Sequence, residues 1–126
     1  MGFNLEEVFI KNTENNLGIQ FSLSFKTKMM DDNGGEISIK GEGWFIFPFY
    51  DNSDKRRIKR TSNNITRETN LFYLDHDDIK NYVVFADNGS GDYLLFDKKN
   101  PTPVYMFLHE SEIIKKVAED FSFLVP

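Results

Sequence analysis

Two histidines are the only side chains of this chain that ordinarily titrate near neutral pH, and each lies beside carboxylates. His76 sits in Asp75-His76-Asp77-Asp78, and His109 precedes Glu110. Such oxygen and nitrogen donors can hold a divalent ion or pass a proton. A metal site gathers ligands from more than one segment, however, and no second cluster matches, so Asp75–Asp78 reads as a solvated loop. Two Asp- and Gly-rich runs look superficially like calcium loops. Counting from Asp87, the third ligand position is Gly89 and the twelfth is Lys98. Counting from Asp31, the sixth position is Glu36, where the loop needs glycine. Both runs read as turns. Cysteine is absent, which excludes disulfides and thiolate metal sites. There is no Gly-x-Ser-x-Gly elbow, no Walker loop and no dinucleotide glycine pattern. Carboxylate pairs carry little weight among twenty acidic residues, because many arise by chance. The expectation is a protein with no catalytic residue, metal or cofactor. An enzyme would need a histidine and two acids converging in a deep pocket.

The charge is uneven. The chain carries −5, yet Lys55, Arg56, Arg57, Lys59 and Arg60 place five cations in six residues. Outside that stretch ten basic residues face twenty acidic ones, so the other 120 residues carry −10. Such a surface repels nucleic acid and speeds encounter with a basic partner. The basic stretch has no interleaved aromatics, so it reads as a solvated helix face or a contact for an acidic partner.

The elements that position these residues follow from periodicity. With 126 residues, 13 Phe, 5 Tyr and 1 Trp, a single domain over 1–126 can fill its core. Asn4 caps a short helix carrying Leu5, Val8 and Phe9, which the Asn-rich Asn12–Gly18 segment breaks. Ser22 caps a second, with Leu23, Phe25, Met29 and Met30. Ile37 and Ile39, then Trp44 to Phe47, form a hairpin through Gly41-Glu42-Gly43. Ser53 caps a polar helix that touches the core through Ile58, Ile65 and Leu71 or Phe72. Strands follow at Tyr82–Ala86, Tyr93–Phe96 and Val104–Leu108. Ser111 caps a closing helix with Ile113, Ile114, Val117, Phe121 and Leu124 at helical spacing. The class is α+β.

The first ten residues carry Glu6 and Glu7 and no basic cluster, which does not read as a signal peptide. No apolar run is long enough for a membrane span. The expected location is the cytoplasm, with no membrane partner.

With the elements in this order, the chain resembles the SUKH superfamily of the SMI/KNR type. Four pieces carry the resemblance. The first is Leu17-Gly18-Ile19-Gln20-Phe21-Ser22-Leu23-Ser24-Phe25-Lys26, followed by Asn33-Gly34-Gly35. The second is the aromatic strand from Trp44 to Pro48. The third runs from Val83 through Asp87-Asn88-Gly89-Ser90-Gly91-Asp92 to Tyr93. The fourth is Pro103-Val104-Tyr105 with His109-Glu110, ahead of a closing helix that contains Phe121. Ser22 stands where the family often has Pro, and Phe25 where Tyr is usual.

The resemblance implies a mainly antiparallel sheet of about five or six strands packed against N-terminal and C-terminal helices. Gly18, Gly34, Gly35, Gly89 and Gly91 then serve backbone turns, Asp92 ties down its turn, and Phe121 anchors the last helix. It also implies a non-enzymatic function. Bacterial members are commonly immunity proteins that neutralise a polymorphic toxin by binding it, and the toxin is frequently a nuclease or deaminase. Fungal relatives act as interaction proteins in cell-wall regulation, so a regulatory module without a toxin is the alternative. The expected partner is a basic protein domain, with no direct nucleic-acid contact. Asp75, Asp77, Asp78 and Asp87 are the expected contact carboxylates, with Trp44 or Tyr93 as an aromatic anchor. A homodimer through an aromatic strand edge is a further expectation.

Overall fold

The computed structural model describes residues 3–125; Met1, Gly2 and Pro126, at the ends of the expected domain, lie outside them. Helices α1 (Glu7–Leu17) and α2 (Leu23–Asp31) lead into strands β1 (Glu36–Ile39) and β2 (Glu42–Ile46). Helices α3 (Lys55–Arg60) and α4 (Ile65–Asp75) and a 3-10 turn at Asp77–Ile79 separate these from β3 (Tyr82–Asp87). Strands β4 (Tyr93–Asp97), β5 (Val104–Leu108) and β6 (Ile113–Ala118) follow, then a 3-10 turn at Phe121–Leu124. The six strands form one antiparallel sheet in sequence order. The fold is α+β, as the sequence led us to expect.

Alternation along the strands sends aromatic side chains to both faces of the sheet. Phe96 points to one face, where it stacks on Phe85 at 4.1 Å and meets Phe25 of α2 at 5.0 Å. Tyr93, three residues earlier, points to the other and meets Phe72 of α4 at 5.0 Å. Helices therefore cover both faces, which is why Val83, Val84, Phe85 and Ala86 are all buried. Helix α4 also closes an edge. β2 pairs with β3 only at Phe45/Asp87 and Ile46/Ala86. Beyond that point the Thr69 hydroxyl accepts the Val84 N–H at 3.2 Å and donates to the Val84 carbonyl at 3.3 Å. The Tyr73 hydroxyl donates to the Tyr82 carbonyl at 2.6 Å. Side chains thus satisfy backbone groups that would otherwise form an open strand edge.

Four expectations need correction. The closing helix is instead strand β6 and a 3-10 turn. Ile113-Ile114 and Val117 are β-branched, and β5 offers a free edge on which five residues of β6 register, from Leu108/Ile113 to Val104/Ala118. A tight turn starts the strand, with the Glu112 N–H on the Leu108 carbonyl at 2.7 Å. Phe121 still reaches the core, at 5.0 Å from Phe25, from the 3-10 turn.

Helix α1 starts at Glu7 with Glu6 rather than Asn4 at its cap position, leaves Leu5 outside, and runs on through the Asn-rich segment, because Ile10, Thr13, Glu14 and Leu17 form a buried helical stripe. Its end is at Gly18, whose φ of 70° permits the left-handed cap on Glu14. The helix expected after Ser53 is two helices. Asp54 caps α3 and Asn64 caps α4, each by accepting the N–H three residues on. Ile58 and Leu71 face solvent, while Ile65 and Phe72 are buried. Finally, the first hairpin turns through Lys40-Gly41 alone, both at positive φ, and Glu42 and Gly43 belong to β2.

Candidate protein-binding surface

A single row of facing residues crosses all six strands: Glu36, Phe45, Asp87, Tyr93, Phe107 and Ile114. Directly opposed residues share a face, so this row lies on the α4 side of the sheet. The helix covers only part of it. Phe72 packs edge-on against Phe107 at 5.3 Å, and His76 lies 4.8 Å from the same ring. Toward β2 the row is open: Asp87 and Tyr93 are half-buried, and Phe45 is 57% exposed.

Carboxylates gather round this opening. Burial, and then the charges of Asp87, Glu68 and Asp75, push the Tyr93 phenol above its ordinary value. Three acids from two elements therefore act on one ring. Burial also raises Asp87, so its carboxylate is incompletely solvated and gains from a nearby cation. At the outer side, α4 presents Leu71 and Leu74, the latter 80% exposed, next to Asp75. Asp77 and Asp78 follow on the exposed turn. Apolar side chains rimmed by carboxylates can exclude water beneath a partner while steering a basic one.

Trp44 takes no part in this surface. It is 0% exposed, because β2 alternates and its ring points with Ile46 into the opposite, covered face. Its indole N–H is buried without an acceptor. The exposed aromatic is its neighbour Phe45. The alternation Trp44-Phe45-Ile46 carried that information, once one face of β2 was known to be buried.

The two histidines serve different neighbours. His76 approaches Glu112 at 3.8 Å, and His109 approaches Asp92 at 2.7 Å. Asp92 accepts both the His109 ring nitrogen and, at 3.0 Å, the His109 backbone N–H. Asn88 donates to the other Asp92 oxygen at 3.1 Å. Burial opposes the charged form of Asp92, but these bonds outweigh it and hold the carboxyl below its ordinary value. Asp92 thus ties its own turn to the end of β5. Gly91 makes room for this clamp: at φ 95°, an added Cβ would lie 3.2 Å from the His109 ring. Among the described residues no three His, Asp or Glu side chains converge as a metal site requires. No helix among them is long and apolar enough to cross a membrane.

Asn33, in the Asn33-Gly34-Gly35 turn, does more than its turn requires. Its buried carboxamide accepts the Phe49 N–H at 2.8 Å and donates to the Phe49 carbonyl at 2.9 Å. Residues 4–125 match the family model described as the SMI1/KNR4 family (SUKH-1). No curated protein matches the chain.

Proposed function

The chain belongs to the SMI1/KNR4 family (SUKH-1), and from that premise we propose that it is a non-enzymatic protein-binding domain, an immunity protein that neutralises a cognate toxin in the cytoplasm. The observation that carries the reading is the open end of the cross-strand row. Phe45 supplies an exposed ring, the charges of Asp87, Glu68 and Asp75 act on the half-buried Tyr93, and Leu71 and Leu74 are exposed on α4. A basic toxin domain suits this surface. Its lysines and arginines would relieve the poorly solvated Asp87, and the carboxylates would stand where the toxin's own substrate phosphates bind. Phe45 would be the anchor and the acids would set the encounter rate.

Co-expression with the product of the adjacent gene tests the role. Co-purification and rescue of growth are expected. A neighbour that neither co-purifies nor harms growth overturns the toxin assignment and favours a regulatory partner. Within a complex, Phe45→Ala should weaken binding by about 2 kcal/mol, roughly thirtyfold. Asp75→Asn with Asp87→Asn should mainly slow association and flatten its salt dependence. A complex indifferent to all three substitutions uses another surface.

A further inference from the structure

A cavity of about 300 Å³ opens between α1, the segment that follows β2 and the start of α4. It shares no residue with the cross-strand row or the acids beside it. Helix α1 contributes one stripe at helical spacing, Phe9, Asn12, Thr13 and Asn16. Tyr50 and Asn52 form a second wall, and Asn64 and Thr66 a third. Among the described residues no charged side chain lines the cavity. Carboxamides and threonine hydroxyls do, beside two aromatic rings. Asn64 spends its amide on the Arg67 N–H and the Thr61 carbonyl. Asn12, Asn16, Asn52, Thr13 and Thr66 make no side-chain hydrogen bond among the described residues. Tyr50 is 43% exposed and meets no other ring among them. Thr13 is the most informative of these. Only 3% of the residue is exposed. Among the described residues, the Trp44 indole is the one side-chain group sealed from water without a partner. The Thr13 hydroxyl also lacks a partner, so its remaining access to water is through the cavity. Packing alone does not call for that hydroxyl, because valine has the same shape and no polar atom to satisfy.

We infer that this cavity binds one ring of a neutral carbohydrate. With no charge in the lining, an ion, a phosphate or a charged peptide side chain would lose hydration and meet no counter-charge. A purely apolar ligand would leave the carboxamides and hydroxyls unpaired. A pyranose suits both kinds of wall. Its adjacent hydroxyls each donate and accept, as the free carboxamides and threonine hydroxyls also can. Its C–H face is apolar and lies against Tyr50 and Phe9. The volume is at the lower end for ligand sites, which suits a single ring with the rest of a glycan left outside. An extended peptide would need a strand edge to pair its backbone, whereas helices form two of these walls. The site holds whether or not the acidic patch binds a toxin.

An NMR titration of the isotope-labelled full chain tests the inference. The probes are methyl glucoside, methyl galactoside, methyl mannoside and N-acetylglucosamine. At least one should shift the side-chain amide signals of Asn12, Asn16 and Asn52 saturably, with a Kd of roughly 1–10 mM. Tyr50→Ala should weaken that binding by about tenfold, and Tyr50→Phe by no more than about twofold. Thr13→Val should weaken it by about fivefold and leave the urea midpoint at or above that of the parent, because the hydroxyl it removes has no partner in the protein. Circular dichroism should match the parent for all three variants. Absence of a saturable shift with all four sugars at about 50 mM overturns the inference. So does binding that Tyr50→Ala and Thr13→Val leave unchanged. Tighter binding of an uncharged peptide rich in Asn and Gln than of any sugar overturns it in favour of a peptide groove.

Discussion

Replacing Asn33 removes a two-pronged tie between the turn before β1 and the segment after β2. The carboxamide meets both the N–H and the carbonyl of Phe49, at 2.8 and 2.9 Å, and only 6% of the residue is exposed. Asn33→Ala deletes both bonds and strands two buried backbone groups. A buried group left unpaired costs about 1–3 kcal/mol, and partial access of water reduces that, so the expected loss is about 3 kcal/mol. A domain with roughly 5–15 kcal/mol in hand stays folded but melts much earlier in urea. The slope of the urea transition should not change, because the same surface unfolds. Asn33→Asp separates the two prongs. It keeps an acceptor for the Phe49 N–H but turns a second oxygen onto the Phe49 carbonyl. At neutral pH it should be as unstable as Asn33→Ala. In acid the protonated carboxyl donates again, so this variant alone should regain stability relative to the parent. Urea midpoints across pH for both variants decide the matter. If both lie within about 0.5 kcal/mol of the parent, water replaces the carboxamide and the reasoning is wrong.

Asp92 has a lowered folded value, so its clamp on His109 contributes above the ordinary 3.8 and is lost as pH falls through that lowered value. The stability gap between parent and Asp92→Asn should therefore be flat at neutral pH and close only in acid, as urea unfolding will show. Tyr73 is pushed up to about 12 by burial, against an ordinary 10.0. The folded state thus holds this proton more tightly, and stability should fall as pH rises from about 10 to 12. Tyr73→Phe should lose about 1 kcal/mol below that window and show a shallower alkaline decline in a thermal-melt series. Trp44→Phe should cost less than about 1.5 kcal/mol by urea unfolding, because the volume lost is offset by removing an unpaired buried N–H. Gly91→Ala should destabilise by about 1–2 kcal/mol, since the added Cβ meets both an unfavourable φ and the His109 ring.

The meander was legible because β3, β4 and β5 combine β-branched and aromatic residues with turn chemistry between them. The C-terminal region misled because positions 113, 114, 117, 121 and 124 satisfy a helical period as well as a strand followed by a turn. A partner edge decides such a case, and no local pattern displays it. Helix α1 was read too short because Asn12, Asn15 and Asn16 favour turns, while the polar Thr13 and Glu14 between them hid the buried stripe. Glu14 is nevertheless buried, its carboxylate accepting the Phe21 N–H at 2.8 Å. Of the expected contact residues, Asp75, Asp87 and Tyr93 come together, since α4 brings Asp75 over the β3–β4 hairpin. Asp77 and Asp78 were legible as exposed from charge alone. Trp44 misled because composition suggests an anchor, while only the buried face of β2 says which of two adjacent aromatics is free. The convergence of Arg56, Arg57 and Arg60 on the Phe3 ring depends on contact between distant segments and left no mark in the basic run itself.

The strand order, β1 to β6 in sequence order, has a kinetic consequence. Nearly every pairing is a hairpin between neighbours in the chain, so most loop-closure entropy is small. The exception is β2 with β3, which must wait for α3 and α4 to fold between them, and which finally aligns only two residue pairs. That junction is where the late barrier to folding should lie. Substitutions at Ile46 or Ala86 should slow folding, whereas those at the β5–β6 edge should mainly speed unfolding.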